Sequence, residues 1–162
     1  YQYPEKLIPM VIGKALQNES IPVYGSGSNV RDWLYVDDHA RALLLILKKG
    51  LSGRTYNVGG AAEKTNLSVV QAVCHCLDQR QPRKNGKSYT DLISFVPDRP
   101  GHDFRYAIDS TRIQNELGWQ ARETFFSGLE KTVQWYLDHQ DWVMAVLGSQ
   151  YHSQRLGLGG VV

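Results

Sequence analysis

The sequence predicts an α/β fold in which short strands alternate with helices. Its 162 residues are 42% hydrophobic, enough for one domain with a sizeable core or for part of a larger domain. Apolar runs of strand length are separated by segments with the periodicity of helices. The α/β pattern is incomplete, because the predicted strand Thr55–Val58 has few partners within this chain. We therefore expect that strand to belong to a larger sheet.

The first elements follow from proline positions and apolar spacing. Pro4 suits the first turn of a helix that extends to Gln17 and has a broad apolar face. Pro9 falls inside that pattern, so the helix is expected either to begin after it or to bend there. Ile21–Tyr24 is a predicted strand, and Arg31–Val36 is a second extended segment beyond a turn-rich loop.

The most strongly marked element is an apolar helix over Ala40–Leu47. Asp37 and Asp38 place negative charge at its start, where the helix dipole favours it, and Gly50 supplies the C-cap residue. A helix this apolar is expected to be buried on most sides. We predict that it and the strand Thr55–Val58 need neighbours that the chain does not supply, so that this region exposes apolar surface and self-associates or is partly disordered.

The remaining elements alternate in the same way up to the C-terminal tail. Asn66 is a good N-cap for a helix over Leu67–Leu77. Gly148 and the residues after it form a Gly-rich tail that we expect to be mobile. The other predicted elements are strands at Ile93–Val96 and Phe104–Ile108, a helix capped by Asp109 or Ser110 and ended by Gly118, a helix capped by Thr124, and a helix at Asp141–Leu147.

Cys74 and Cys76 flank His75, a pattern that invites comparison with metal sites. The surrounding apolar residues have helical spacing, which directs Cys74 into the core as a small hydrophobic side chain. Cys76 lies about 200° around that helix from Cys74, so the two thiolates cannot share a metal ion. Because a structural zinc site also needs about four ligands, we predict no metal. Two cysteines on one helix fit a reducing, cytoplasmic setting.

Composition argues against membrane and nucleic-acid partners. The net charge is +2 and the mean hydropathy is −0.37, and no apolar run approaches the roughly 20 residues that span a bilayer. The basic cluster within residues 80–87 contains turn residues, which favours a solvated loop over a phosphate-binding patch. No secretory signal is visible. The chain begins with Tyr1 and not with Met, so we expect the natural protein to start earlier or this chain to be a shortened form.

No cofactor loop or catalytic set is present in the sequence. Gly25-x-Gly27 lacks the third glycine of a dinucleotide fingerprint, since Val30 stands in its place, and its loop leads to a predicted strand and not to a helix. No tyrosine has a lysine four positions later, the spacing that places a tyrosine base beside its lysine on a helix. We therefore predict no catalytic and no cofactor-binding residues in this chain.

Two segments place arginines beside aromatic residues in loops or at strand ends. One is Arg31–Ala40, with the sequence Arg-Asp-Trp-Leu-Tyr-Val-Asp-Asp-His-Ala, and the other is Pro97–Asp109. Guanidinium groups suit phosphate and carboxylate ligands, which makes Arg31 and Arg99 candidate anion ligands. The alternative is ion pairing inside each segment, and spacing does not separate the two interpretations. The candidate partners are Asp32 or Asp37 for Arg31, and Asp98 or Asp103 for Arg99.

Together with further stretches, these segments resemble the C-terminal half of the dTDP-glucose 4,6-dehydratase family, within the extended short-chain dehydrogenase/reductase superfamily. The segment Arg31–Ala40 is specific within the superfamily, because related epimerases and decarboxylases vary at its Trp and His positions. The resemblance covers the chain up to about Leu147. The match at the first segment extends to Ala42, and the other matching stretches are Pro4–Pro9, Ile21–Gly25, Tyr56–Gly60, Asn66-Leu67, Asp98–Asp109, Leu117–Trp119 and Thr132–Tyr136.

The resemblance implies a nucleotide-sugar site with ten binding residues. By the family pattern, Arg31 and Arg99 contact the diphosphate, Asn66 supplies an amide there and His102 is a neighbouring contact. The residues expected along the nucleotide and around the thymine are Lys6, Leu7, Ile8, Pro9, Pro22 and Tyr24. Simpler roles stay open for three of them, namely Asn66 as a plain N-cap, Tyr24 as core packing and His102 as a cap of its loop.

The resemblance also implies the reaction of the complete enzyme, which converts dTDP-glucose to dTDP-4-keto-6-deoxyglucose with NAD, in deoxysugar and rhamnose biosynthesis. The family's glycine-rich NAD loop, Tyr-x-x-x-Lys pair and Asp-Glu pair all lie N-terminal to the matching region, so we expect the N-terminal Rossmann half to be absent. Residues 1–147 would be the C-terminal substrate-binding lobe, with residues 55–58 in the Rossmann sheet, and residues 148–162 the tail. Alone, this chain is expected to bind no NAD and to be inactive.

Three functional hypotheses follow. In the first, the chain is the substrate-recognition part of the dehydratase and acts with an N-terminal Rossmann half from the same gene. In the second, it is a free-standing truncated gene product, a sugar-nucleotide-binding or partner module that self-associates or completes a Rossmann half supplied in trans. In the third, it is the lobe of a related nucleotide-sugar dehydratase or epimerase. Each hypothesis implies a cytoplasmic protein with a nucleotide-sugar ligand, a dTDP-sugar in the first, and no membrane or nucleic-acid partner.

Overall fold

Helices and short strands alternate along the chain, as the apolar pattern predicts. The structure, a computed structural model, describes residue 2 and residues 6–148. Its elements are α1 (Leu7–Leu16), β1 (Ile21–Tyr24), β2 (Val30–Asp32), α2 (Val36–Lys49), β3 (Glu63–Thr65), α3 (Asn66–Arg80), a 3-10 turn (Tyr89–Leu92), β4 (Ile93–Val96), α4 (Thr111–Leu117), α5 (Phe125–Asp138) and α6 (Gln140–Gly148). The described residues divide into two compact units, the first with residue 2 and residues 6–28, 66–102 and 132–148, and the second with residues 29–65 and 103–131.

The first unit is built around a parallel pair of strands. β1 and β4 pair in register from Ile21 opposite Ile93 to Tyr24 opposite Val96. Parallel strands cannot be joined by a tight turn, and α3 lies on the connection between them. α1 packs against α3 and β1. The buried apolar side chains of these three elements include Val11, Ile12, Ala15, Ile21, Val23, Val69, Val70, Val73, Cys74 and Leu77.

Two predictions about the helices of this unit can be compared directly with the structure. α1 begins at Leu7, before Pro9, because a proline in the first turn loses no hydrogen bond within the helix. The prediction that Cys74 belongs to the core is confirmed. Burial and the nearby Asp78 carboxylate raise the pKa of the Cys74 thiol to about 12, so this side chain is an unreactive thiol.

The second unit combines an antiparallel strand pair with α2, α4 and the first part of α5. β2 pairs with β3, with Val30 opposite Thr65 and Asp32 opposite Glu63. The Asp32 carboxylate accepts hydrogen bonds from the backbone N–H groups of Gly60 and Ala62, which fixes the turn before β3. The core centres on Ala42, Ile113 and Trp119, with Leu34, Leu45, Ile46, Tyr56, Val58, Leu117 and Ala121 packed around them.

One predicted strand of this unit is wrong, and another has no pairing partner in the part of the chain that the structure describes. Residues 55–58 form no strand here, and Tyr56 and Val58 pack into the core of the unit. Their place in a larger sheet stays a prediction. Residues 104–108 form a single bridge, from Arg105 to Val30, since β2 offers only its first residue for pairing there. β3 was not predicted, because Glu63-Lys64-Thr65 carries no apolar alternation.

Most helix ends lie where the sequence predicts them. Gly118 ends α4 with φ +67°, a left-handed conformation that glycine adopts without strain. The Asp109 carboxylate accepts the N–H of Thr111 at the start of α4, and the Thr124 hydroxyl accepts the N–H of Ser127 at the start of α5. The predicted tail lies outside the described residues, except for Gly148 at the end of α6.

Helix α2 is not buried on most sides, contrary to the sequence prediction. Its inner face packs Ala42, Leu45 and Ile46 against the core. On its outer face Leu43, Leu44 and Leu47 are 53%, 56% and 83% exposed. The related prediction that this region exposes apolar surface is therefore confirmed for α2. We call the patch formed by Leu43, Leu44 and Leu47 the α2 leucine face.

A buried carboxylate attaches the start of α2 to the segment before α5. Asp38 accepts hydrogen bonds from the backbone N–H groups of Arg122 (3.0 Å) and Glu123 (2.9 Å) and from the Arg41 guanidinium. Burial alone would raise the pKa of Asp38, but the hydrogen bonds outweigh it and the pKa is lowered. Asp38 is thus an ionised group whose charge is neutralised by Arg41 and by oriented backbone dipoles.

Replacing Asp38 by asparagine should destabilise the fold. Asp38→Asn turns one accepting oxygen into a donor that faces either Arg41 or the two backbone N–H groups, and we expect a loss of about 1.5–3 kcal/mol in the free energy of unfolding. Because the pKa of Asp38 is lower in the folded chain, this contribution is complete above the usual aspartate pKa and is lost as the pH falls through the folded value. Urea unfolding at neutral and at acid pH measures both effects.

The matched control is Asp37→Asn, in the same first turn but exposed, which should cost no more than about 0.3–1 kcal/mol through the helix dipole. The assigned role of Asp38 would be contradicted if the two variants lost the same free energy of unfolding. It would also be contradicted if the difference in this free energy between wild type and Asp38→Asn did not shrink in acid.

Candidate functional site

The carboxyl ends of β1 and β4 bring two loops of the first unit together. The N–H of Gly25 donates to the carbonyl of Val96 (2.8 Å), which extends the contact beyond the strands. Gly25 has φ +55°, and a Cβ at this position would lie 3.3 Å from a carboxylate oxygen of Asp98. A side chain here would therefore be both strained and crowded. The carboxyl ends of parallel strands are a common location of ligand sites in α/β folds.

Three predicted binding residues of the first unit meet at this edge. The guanidinium carbon of Arg99 lies 5.3 Å from the centroid of the Tyr24 ring, within the range of a cation–π contact. The His102 ring meets Tyr24 edge to face, at 6.3 Å between centroids. We call Tyr24, Arg99 and His102 the β1–β4 edge cluster. It combines an aromatic surface, a planar cation and an imidazole, the groups that suit a base and a phosphate.

Asp98 organises this cluster, although its spacing predicted it only as a possible ion-pair partner of Arg99. Its Oδ1 atom accepts the backbone N–H of Arg99 (2.8 Å) and contacts Nδ1 of His102 (2.7 Å). The hydrogen bond with His102 comes first among the causes that lower the pKa of Asp98. The His102 side chain is only 5% exposed, so Asp98 holds it in one orientation. The i, i+4 spacing of the two residues was the available signal.

Arg31 lies in the second unit and has different surroundings. Its guanidinium donates to the backbone carbonyls of Val30 (2.7 Å) and Asp103 (2.9 Å). The guanidinium carbon of Arg31 lies 4.6 Å from the centroid of the Tyr106 ring. Tyr106 has no role predicted from the sequence, although it lies in the same segment as Arg99, Pro97–Asp109.

Local ion pairing does not account for either arginine. Within the described residues, neither Arg31 nor Arg99 forms an ion pair with a carboxylate. The Asp32 carboxylate bonds the turn before β3, and Asp98 bonds the backbone rather than the guanidinium of Arg99. The contact of Arg31 with Asp103 goes to a neutral carbonyl. Neither guanidinium therefore has a direct carboxylate partner in this part of the chain, although the charges of Arg99 and Asp98 attract each other and help to lower the pKa of Asp98.

The other predicted binding residues occupy helix and strand starts in the first unit. Lys6 is the exposed residue before α1, and Leu7, Ile8 and Pro9 form the first turn, with Pro9 buried. Pro22 lies in β1 opposite Ser94. Asn66 is the first residue of α3, so this helix begins one residue earlier than predicted. Their contact with a nucleotide stays a prediction.

The glycine loop after β1 does not fit the phosphates of a dinucleotide cofactor. Gly25 and Gly27 both have positive φ, but the loop leads into β2 and not into a helix N-terminus. A Cβ at Gly27 would lie 2.7 Å from Val23 and 2.8 Å from Leu67, so this glycine is required for packing of the loop against α3. In residue 2 and residues 6–148, no three His, Cys, Asp or Glu side chains are grouped as a metal site, and no helix has the length and hydropathy of a membrane span.

Comparison with known proteins assigns the class. Residues 1–132 match the family model described as GDP-mannose 4,6 dehydratase. The chain belongs to this family of nucleotide-sugar dehydratases.

Individual proteins that resemble this chain carry a more specific name than the family model. The chain is 54% identical over 157 residues to the dTDP-glucose 4,6-dehydratase of Xanthomonas campestris pv. campestris, covering 97% of the chain and 45% of the relative. The crystal structure of the Bacillus anthracis dTDP-glucose 4,6-dehydratase in complex with NAD matches with a TM-score of 0.78 and 44% identity, over 90% of this chain and 43% of that one. The Streptomyces venezuelae enzyme DesIV, also with NAD bound, matches with a TM-score of 0.80 and 36% identity, over 90% and 42%.

These comparisons confirm the predicted α/β fold and the family resemblance. The chain spans slightly less than half the length of the relatives it matches. NAD is bound by the homologous enzymes, whereas the glycine loop described above does not offer a site for it.

The hydrogen bond between His102 and Asp98 should be visible in the titration of Asp98. In His102→Ala, we expect the pKa of the Asp98 carboxyl to rise toward its usual value, because the first cause of its low pKa is removed. Carbon-13 NMR of the carboxyl groups across pH measures this. The Asp109 carboxyl, whose pKa is lowered by Thr111, should titrate as before. An unchanged Asp98 titration would show that His102 does not hold this carboxylate.

Proposed function

We propose that this chain is the C-terminal substrate-recognition lobe of an NAD-dependent dTDP-glucose 4,6-dehydratase, and that it binds the nucleotide part of the dTDP-sugar. The observation that carries the proposal is the pairing of Tyr24 with the Arg99 guanidinium, which has no carboxylate partner among the described residues. The position of the pair at the carboxyl ends of parallel strands supports it, as does the name shared by the relatives at about half identity.

Each member of the cluster has a definite proposed task. Arg99 binds the diphosphate through charge-assisted hydrogen bonds, and Tyr24, with Pro22, flanks the thymine. His102, oriented by Asp98, supplies a further polar contact. Lys6–Pro9 lie along the nucleotide, and Asn66 provides an amide. These groups bind and orient the substrate, and binding energy of this kind contributes to a reaction at a distant bond.

Bond chemistry is proposed to take place outside this chain. Asp98 orients the His102 imidazole, but the edge cluster of Tyr24, Arg99 and His102 contains no serine or cysteine nucleophile for such a base to activate, and the loop after β1 does not fit NAD. The relatives contain more than half their length beyond the region matched here. We propose that the NAD-binding half supplies the cofactor and the acid and base groups, and that the complete enzyme is cytoplasmic.

The α2 leucine face provides a surface for that second half. Leu43, Leu44 and Leu47 form a row on one side of α2 with large exposed fractions, and such a row in a soluble domain normally packs against another structure. We propose that the Rossmann half, from the same gene or in trans, covers this face, and that the chain self-associates through it when no such partner is present. The same face favours the second candidate function, a free-standing partner module.

Nucleotide binding should depend on Arg99. In Arg99→Ala we expect the affinity for dTDP to fall by about ten- to a hundredfold, because a charge-assisted hydrogen bond is worth roughly 1.5–3 kcal/mol. Thymidine, which has no phosphate, should bind the variant and the wild type equally. Chemical-shift titration of the full chain with each ligand measures both affinities.

The matched control is Arg122→Ala. Arg122 is an exposed arginine that bonds Asp38 through its backbone N–H, which alanine retains, so this variant changes the net charge equally. If Arg99→Ala and Arg122→Ala bind dTDP alike, or if wild type binds dTDP no better than thymidine, the diphosphate assignment is wrong.

The chain alone should show no dehydratase activity with dTDP-glucose and NAD. Mixed with the NAD-binding half of a relative, it should form a complex and restore formation of the keto sugar, which is followed by its absorbance in alkali. Leu47→Lys places a charge in the leucine face and should abolish this complex, whereas Lys48→Ala, on the neighbouring exposed position, should not. Turnover by the chain alone at ordinary enzyme rates would contradict the proposal.

A further inference from the structure

The guanidinium of Arg31 is held on several sides by residues of its own unit. Nη1 and Nη2 donate to the backbone carbonyls of Val30 and Asp103, and the Tyr106 ring lies against the guanidinium plane at 4.6 Å. A surface arginine normally exchanges among many rotamers. These contacts restrict Arg31 to one arrangement before any ligand is present.

Tyr106 is itself held in place by two hydrogen bonds. Its hydroxyl donates to the Asp103 carboxylate, and its backbone N–H donates to the Val30 carbonyl (3.0 Å). The Val30 carbonyl therefore accepts from both Arg31 and Tyr106, and Asp103 contacts both side chains. Val30, Asp103 and Tyr106 form a closed set of contacts around one guanidinium.

This arrangement leaves the charge of Arg31 available. A guanidinium carries five N–H donors, and contacts with the described residues use one on Nη1 and one on Nη2. Both acceptors are neutral carbonyls, and the Asp103 carboxylate is already bonded by Tyr106. Three donors remain on a guanidinium that forms no direct ion pair among the described residues, and such a group can bind an anion.

We propose that Tyr106, with Asp103, is a positioning residue that holds Arg31 in the orientation in which it binds the diphosphate of the nucleotide sugar. The inference rests on the proposed function, because it takes Arg31 to be an anion ligand. The Tyr106 ring restricts the guanidinium by stacking, and its hydroxyl bond to Asp103 keeps the ring in place. The Arg31 side chain therefore loses its conformational freedom when the chain folds, and it does not lose it again when the ligand binds.

The test is a double-mutant cycle on Arg31 and Tyr106 in the full chain, with dTDP as the titrated ligand. We expect Tyr106→Leu to weaken dTDP binding by about two- to tenfold, and to have no effect when Arg31→Ala is already present. Tyr106→Phe keeps the ring without the hydroxyl and should fall between wild type and Tyr106→Leu. Phe104→Leu, an exposed aromatic of the same segment, is the control and should bind as wild type.

A second measurement separates positioning from general stability. The side-chain Nε–H signal of Arg31 should be shifted by the Tyr106 ring in wild type and in Tyr106→Phe, and should lose that shift and sharpen in Tyr106→Leu. Three outcomes would overturn the inference. Tyr106→Leu could weaken dTDP binding equally with and without Arg31, the Arg31 signal could stay unchanged in Tyr106→Leu, or Arg31→Ala could bind dTDP as tightly as wild type. Absence of dTDP binding by wild type would overturn it as well. Since Arg99→Ala is a separate variant, a failure at Arg31 leaves the edge cluster to be judged by itself.

Discussion

The parallel register of β1 and β4 is the constraint on which the edge cluster depends. With Tyr24 opposite Val96, Ile21 and Val23 point into the core while Pro22 and Tyr24 are half-buried. A slip of one residue would exchange these two sets of side chains, and Tyr24 would enter the core. The bond from Gly25 to Val96 and the contact of Gly25 with Asp98 continue this register into the loops. The arrangement of Arg99 and His102 around Tyr24 is thus a consequence of strand pairing.

Helix α2 shows why the second unit has an apolar surface as well as an apolar core. Ala42, Leu45 and Ile46 are enough to pack against Ile113 and Trp119, and Asp38 attaches the start of the helix to residues 122–123. The α2 leucine face contributes nothing to either interaction. A row of leucines that the unit itself does not use is costly to keep in contact with water, and this cost is the physical argument behind the proposal that another structure covers it.

The sequence predicted the elements that depend on their own apolar runs and capping residues. It was less informative about strands that exist only through pairing with a segment far away in the sequence. Ile21–Tyr24, Ile93–Val96 and the caps of α4 and α5 have apolar runs or capping residues of their own, and the structure agrees with them. β3 exists only because β2 pairs with it, and its residues have no strand pattern. In the same way Asp98 and Tyr106 act through neighbours in space. Motif resemblance predicted Arg31, Arg99 and His102 as binding residues, but it did not name the residues that contact and orient their side chains.

The two candidate arginines differ from other arginines of the chain in a way that only the structure reveals. Arg41, Arg54 and Arg105 pair with the carboxylates of Asp38, Glu116 and Glu63, so their charges already serve the fold. Arg31 and Arg99 also have aspartates within a few residues in sequence, and spacing would assign them the same structural task. Instead, those aspartates bond backbone N–H groups, His102 or Tyr106. The aspartates thus stiffen the surroundings of the two arginines without forming direct ion pairs with their guanidinium groups, and guanidinium donors that are held in place outside an ion pair are what an anion-binding site requires.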